Sequence, residues 1–205
     1  MKCNIIVAYC KNFGIGLNNN LTWNIRSDIL KFSKLTRGNG NSAIIMGKNT
    51  WNSLPMKPLP RRDNLILSKS LDINIEKYDD KNKKNYYAKS FDTIEKIYEY
   101  CNDRNYETIW VIGGSKIYNL FLTDQLIKID KIYVTYIDKE FESDVFFPKI
   151  NTSKYKFTNQ SEQYVPNLYY DFKIYDRVYQ NIDQNIDQKI LIKKYHAWGR
   201  FPHTR

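Results

Sequence analysis

Short apolar runs recur along the 205-residue chain, at Asn4–Tyr9, Ala43–Met46, Asn64–Leu67, Ile109–Ile112 and Lys131–Tyr136. Several are continuous rather than alternating, the pattern of strands buried on both faces of a mostly parallel sheet. Helical spacings lie between them. Ser27–Thr36 stops at Gly38. Asp92–Asn102 opens with D-T-I-E, an Asp cap with Glu three residues on. Ser115–Leu122 follows a Gly pair. The alternation predicts an α/β, three-layer fold with a central, mostly parallel sheet of about eight strands and about four flanking helices. Lys154–Gln160 and Tyr169–Tyr175 read as hairpin strands with Pro166-Asn167 in the turn, which finish the sheet with an antiparallel C-terminal strand.

The breakers divide the chain. Asp79–Asn85, D-D-K-N-K-K-N, reads as a surface loop. From Asp176 onward the periodicity fades, and N-I-D-Q occurs twice, at Asn181–Gln184 and Asn185–Gln188. Residues 1–176 are therefore expected to form one domain. Residues 177–205 form a C-terminal appendage: a linker, a docking segment or a candidate contact with another domain or protein. Both histidines, His196 and His203, fall in that tail, which weakens any catalytic role for them.

Composition narrows the classes. No apolar run reaches the roughly 18 residues of a membrane span. The N-terminus turns polar too soon for a signal peptide and reads as a first strand. Cys3, Cys10 and Cys101 are odd in number and lack metal spacing, so neither disulfides nor a metal centre is expected, and an intracellular, cytoplasmic setting fits best. The net charge of +10 is uneven. Residues 1–62 hold ten Lys or Arg against one acid, a net of +9. Such a field draws anionic ligands, phosphates, polycarboxylates or nucleic acid. Nucleic acid is disfavoured because the basic residues are scattered singly and no recognised binding motif is present.

The one acid of that stretch is Asp28. At 3.6 residues per turn, Ile25, Asp28, Ile29, Phe32 and Leu35 share one helix face, with Arg26, Lys31 and Lys34 opposite. Two readings stand. An Asp in a first helical turn commonly caps the helix or complements its dipole. A carboxyl buried in an apolar stripe has a raised pKa and is a candidate proton donor.

Four segments offer further chemistry. N-F-G-I-G-L-N-N-N-L-T-W, Asn12–Trp23, is a flexible-backbone loop that could close over a site. M-G-K-N-T-W, Met46–Trp51, follows a strand and could offer amides and Lys48 to a phosphate, or be an ordinary turn. K-P-L-P-R-R-D-N-L-I-L-S-K, Lys57–Lys69, pairs two arginines suited to a bidentate grip on a carboxylate, with Ser68 and Lys69 placed for another phosphate. W-V-I-G-G-S-K-I-Y, Trp110–Tyr118, lets a ligand approach the backbone closely, although it is not a G-x-G-x-x-G fingerprint.

With V-T-Y-I and F-E-S-D-V-F-F-P, these segments occur in an order that resembles the dihydrofolate reductase family from residue 3 to about residue 175. The resemblance implies NADPH-dependent reduction of 7,8-dihydrofolate to tetrahydrofolate, hydride to C6 and proton to N5, and inhibition by antifolates such as methotrexate. It implies that Asp28 binds the pterin 2-amino group and N3 and promotes N5 protonation, that Trp23 holds a water, and that Thr135 orients Asp28. Phe32 would stack on the pterin and benzoyl rings, Leu54 and Leu59 line the benzoyl channel, and Arg62 grip the α-carboxylate of the tail. Ile6, Val7, Ala8, Ile112 and Tyr118 would surround the pterin, with carbonyls offered by Ile6 and Ile112. For NADPH, Ala8, Ile15 and Gly16 would border the nicotinamide. Gly47, Lys48, Asn49 and Thr50 would hold pyrophosphate and ribose. Leu67, Ser68, Lys69 and Lys89 would meet the 2′-phosphate and adenine end. Gly113, Gly114, Ser115, Lys116 and Ile117 would wrap the pyrophosphate, with the Gly113–Gly114 peptide cis.

Two departures from the family pattern matter. Thr22 stands where the family has proline, which puts the stiffness of the loop in question. Arg61 replaces a small residue beside Arg62, and so is expected to recruit a second carboxylate of a polyglutamylated tail. Three alternatives are the reductase part of a bifunctional reductase–thymidylate synthase, the pyrimidine reductase of riboflavin synthesis and a basic nucleic-acid-binding module. The second fits poorly, because Asp28, Phe32 and Arg62 together match a folate site.

Overall fold

A computed structural model describes residues 1–124, 127–165 and 168–179. Its strands are β1 (Lys2–Cys10), β2 (Gly14–Gly16), β3 (Ser42–Gly47), β4 (Asp63–Leu67), β5 (Asn74–Asp79), β6 (Lys84–Phe91), β7 (Thr108–Gly113), β8 (Lys131–Ile137), β9 (Val145–Phe146), β10 (Tyr155–Val165) and β11 (Leu168–Arg177). Its helices are α1 (Arg26–Arg37), α2 (Lys48–Ser53), α3 (Ile94–Asp103) and α4 (Ser115–Thr123). Nine strands form one sheet in the order β10-β11-β8-β1-β7-β3-β4-β6-β5. Its central pairings, from β8 through β1, β7, β3 and β4 to β6, are parallel. Helices between those strands supply the crossovers that parallel pairing requires. The β8–β11, β10–β11 and β5–β6 pairings are antiparallel, so both edges of the sheet depart from the parallel centre.

The alternation of side chains sorts the core into layers. Ile5, Val7 and Tyr9 of β1, with Ala43 and Ile45 of β3, pack against Ile97, Cys101 and Phe121 of α3 and α4. The other sheet face carries Ile44, Met46 and Ile66 with Trp51 of α2, and Ile6, Leu54, Leu59 and Ile112 pack against them. A third cluster, Cys10, Trp23, Ile25, Ile137 and Tyr170, holds the loop before α1 to the sheet. The three cysteines are free and buried.

The structure corrects several local expectations. Asp79–Asn85 is not simply a loop: it spans the end of β5, a short turn and the start of β6. The segment is too polar for its hydropathy to signal strands, since β5 is an edge strand with mostly exposed side chains. The cap of α3 is Thr93, whose side chain accepts from the Lys96 amide at 3.3 Å, while Asp92 pairs with Lys96 instead. On α1, Ile29 is 52% exposed, and Lys31 lies over the Phe172 ring rather than on the solvent face. The turn at Pro166-Asn167 lies outside the described residues, as does the tail beyond Tyr179. β11 itself runs to Arg177, and Val178 and Tyr179 still bond to Lys154 and Asp130. Among the described residues no helix is long and apolar enough to cross a membrane, and no cluster of His, Cys, Asp and Glu could hold a metal ion.

Candidate active site

Asp28 sits in the first turn of α1, yet no side chain caps that helix; its N-cap is Ile25. The carboxylate instead accepts a hydrogen bond from the Thr135 hydroxyl at 2.6 Å. Thr135 is buried and lies beside Ala8 in the β1–β8 register, so β8 delivers its hydroxyl from the sheet face that α1 covers. Burial pushes the Asp28 carboxyl above the usual carboxylate range, and the Thr135 bond and the Lys31 charge only partly oppose it. Lys31, 3.3 Å from the Phe172 ring centroid, is itself lowered by burial to about 8. Trp23 packs against Phe141, and among the described residues neither its buried Nε1 nor the buried hydroxyl of Thr22 has a hydrogen-bond partner. Buried donors of this kind are ordinarily met by ordered water or ligand.

Phe32 lies one turn on from Asp28 along α1, and the Arg62 guanidinium stands 5.6 Å from its ring centroid. Arg62 is 3% exposed and held by the Ser33 carbonyl at 3.2 Å and by the Thr36 hydroxyl, while its Nε is unpaired. Burial, then the neighbouring Arg37, lowers the guanidinium to about 10, so the site suits a carboxylate. Leu54, Leu59, Ile6 and Ile112 converge in one cluster, whereas the Val7 side chain packs on the opposite sheet face and has only its backbone to offer here. The Tyr118 hydroxyl donates to the Ile6 carbonyl at 2.9 Å, so that carbonyl is already engaged.

Groups that could meet a phosphorylated ligand gather around Gly47 and Gly113. The Gly113–Gly114 peptide is cis, as the resemblance implies. Gly113 has φ +111°, and a Cβ there would lie 2.9 Å from the Tyr118 ring; one at Gly47 would lie 3.0 Å from Ile117. Gly113 is thereby closed to a side chain, and one at Gly47 would have to push Ile117 aside, so both favour glycine at these strand ends. No side chain caps α4 at Gly114, so its first amides remain available, with Ser115 and the exposed Lys116 in that turn. Thr50 lies close to Gly114, and Asn49 is exposed beside it. Leu67 ends β4 next to Gly47 and Phe91. Ser68, Lys69 and Lys89 line a recess of about 570 Å³ just beyond. That recess also holds Asp72, Glu99 and Asp103, and Lys96 is tied to Asp92, so Lys69 and Lys89 are the cations left for a phosphate. Lys48 donates to the Ser70 hydroxyl at 3.0 Å. These donors fit a dinucleotide carrying an extra phosphate. Ile15 and Gly16 belong to β2, which pairs with β9. Phe147 and Asp144 bond to Phe13 and Gly16 through backbone, and the Asn12 side chain to the Phe141 carbonyl, so a second strand steadies the loop despite Thr22.

Across residues 2–177 the chain matches the dihydrofolate reductase family. The chain belongs to the dihydrofolate reductase family. It is similar to the dihydrofolate reductase of Heliothis virescens, 32% identical over 190 residues covering 87% of this chain and 98% of that protein. It is 34% identical to the Drosophila melanogaster dihydrofolate reductase over 159 residues, covering 75% and 82%, and 32% identical to that of Sus scrofa over 188 residues, covering 85% and 97%. The bifunctional reading finds no support in these matches. Dihydrofolate reductases use NADPH, which agrees with the donors around Gly113 and Lys69.

Several residues of the site escape sequence reasoning. The helical wheel puts Lys31 on the outer face, although its i+3 spacing from Asp28 signals that the two are neighbours. Ser33 and Thr36, which hold Arg62, carry no motif. Arg61, expected to recruit a second carboxylate, is already paired: its Nε lies 3.0 Å from Asp79. That partner comes from β5, the strand the hydropathy pattern concealed.

Proposed function

We propose that Asp28 carries the reaction of the family in this chain, the NADPH-dependent reduction of 7,8-dihydrofolate to 5,6,7,8-tetrahydrofolate, which supplies one-carbon and thymidylate metabolism. The observation behind this reading is the half-buried Asp28 carboxylate held at 2.6 Å by Thr135, with Phe32 one helical turn along and Arg62 5.6 Å from its ring. Asp28 binds the pterin 2-amino group and N3, and Thr135 fixes the plane of its carboxylate. Burial raises the Asp28 pKa and so favours its protonated form, and a water bonded to the otherwise unpartnered Trp23 Nε1 would pass the proton to N5. Phe32 covers the pterin and benzoyl rings, Leu54 and Leu59 flank the benzoyl group, and Arg62 takes the α-carboxylate as a two-point partner. Ile6, Val7, Ala8, Ile112 and Tyr118 shape the pterin end. When bound, NADPH supplies the hydride for C6. Gly16, Gly113 and Gly114 let it approach the backbone, and Lys48, Lys69 and Lys89 neutralise its phosphates.

We assign the chain through Arg177, where both β11 and the family match end, to this reductase domain, and propose that the residues after it form an appendage that contacts another domain or protein. Three buried, unpaired cysteines favour a cytoplasmic setting. The test is the loss of NADPH absorbance with dihydrofolate present and absent, followed by methotrexate. Dihydrofolate-dependent loss that methotrexate abolishes is expected. Oxidation without dihydrofolate, or turnover that methotrexate leaves intact, contradicts the assignment.

A further inference from the structure

A recess of about 1210 Å³ opens beyond Arg62, between the C-terminal end of α1, the Gly38–Asn41 loop and the β5–β6 hairpin. Seven Lys or Arg line it against two Asp. Two of those cations are spent internally: Arg61 on Asp79 at 3.0 Å and Arg104 on Asp63 at 3.5 Å. Lys34, Arg37, Arg62, Lys83 and Lys84 have no carboxylate partner among the described residues. Lys34 and Arg37 stand on the helix wall. Lys83 and Lys84 stand on the hairpin wall, which Lys84 ties to the Gly40 carbonyl at 2.7 Å. Five like charges around one recess repel one another until an anion enters.

Arg62 belongs to both places. It is buried, its Nε is unpaired, and it is the arginine assigned above to the substrate's α-carboxylate. An anion in the recess can therefore be part of the substrate. We propose that the recess binds a string of carboxylates continuing from the dihydrofolate tail, supplied by further γ-linked glutamates, with Lys34, Arg37, Lys83 and Lys84 meeting them in turn. The inference rests on the reading of Arg62. It also moves the second-carboxylate role from Arg61, which Asp79 neutralises, to the unpaired cations on the two walls. A nucleic-acid backbone is the less suitable occupant, because these cations face each other across a recess instead of tracking along an open surface.

The experiment compares monoglutamyl and pentaglutamyl dihydrofolate as substrates of the full chain, its K34Q/K83N variant and its R62Q variant, at low ionic strength. Asn is chosen because Lys83 has φ +49°, which Asn tolerates. Wild type should show a KM about tenfold lower for the pentaglutamyl form, the sum of a few solvent-screened contacts. K34Q/K83N should erase most of that difference and leave monoglutamyl kcat and KM unchanged. Equal KM values in wild type, or an advantage that survives in K34Q/K83N, overturn the recess. R62Q should raise the monoglutamyl KM; if it does not, the reading of Arg62 fails, independently of the recess. A mixed-sequence single-stranded oligonucleotide that abolishes the pentaglutamyl advantage at lower concentration than free pentaglutamate would make the recess a nucleic-acid site and overturn the proposal.

Discussion

Two charged residues, half-buried Asp28 and buried Arg62, organise this site, and each is set by its neighbours. Asp28 is raised by burial and partly restored by Thr135 and Lys31, in that order of effect. Removing the Thr135 bond should therefore raise the Asp28 pKa further. T135V is expected to shift the alkaline limb of the kcat/KM profile to higher pH and, because a hydrogen bond to a charged group is lost, to lower kcat/KM at neutral pH by roughly tenfold or more. A pH profile of wild type and variant checks both. The sign follows from linkage: a carboxyl raised above its unfolded value holds its proton over a wider range, so its protonated form persists to higher pH. Asp28 was legible in the sequence because it is a lone acid among apolar and basic neighbours. Lys31 was not, because a helical wheel places i+3 positions near a face boundary that only packing against Phe172 resolves.

Among the elements, those with continuous apolar runs were the readable ones. β1, β3, β4, β7 and β8 are buried on both faces, and their hydropathy says so. β5 and β6 meet at a sheet edge and carry polar side chains outward, so D-D-K-N-K-K-N looked like a loop. The missed hairpin matters because it supplies Asp79 to Arg61 and forms one wall of the basic recess. The turn between β7 and α4 was found from its Gly pair, and its geometry yields a prediction. At Gly113, φ +111° and the close Tyr118 ring both oppose a side chain. G113A is expected to destabilise the protein by about 1–3 kcal/mol and to weaken NADPH binding, since an L-residue is strained there whatever the space. Thermal denaturation with and without NADPH tests this; an unchanged melting temperature would show that the backbone relaxes freely.

At the scale of the whole molecule, Lys34, Arg37, Arg61 and Arg62 of the strongly basic first 62 residues gather at one recess, and the one acid of that stretch, Asp28, accepts from Thr135. The class of fold and the order of the motifs could be read from the chain, because both depend on local pattern. Pairing across long sequence separations could not, and the β2–β9 contact and the Arg61–Asp79 pair are of that kind. The cofactor preference belongs to this scale too. Replacing Lys69 by Glu should raise KM for NADPH by roughly tenfold or more, the loss of one charge-assisted contact, while KM for NADH stays unchanged or falls. Parallel titrations with both cofactors decide it.

The proposed mechanism turns on Asp28 as the group that directs the proton. Its most direct test is the pH dependence of dihydrofolate reduction by D28N beside wild type. D28N should stay folded, still bind NADPH and lose roughly 100-fold or more in turnover at pH 7, with partial recovery in acid, where the substrate arrives already protonated. Full D28N activity at pH 7 would contradict it.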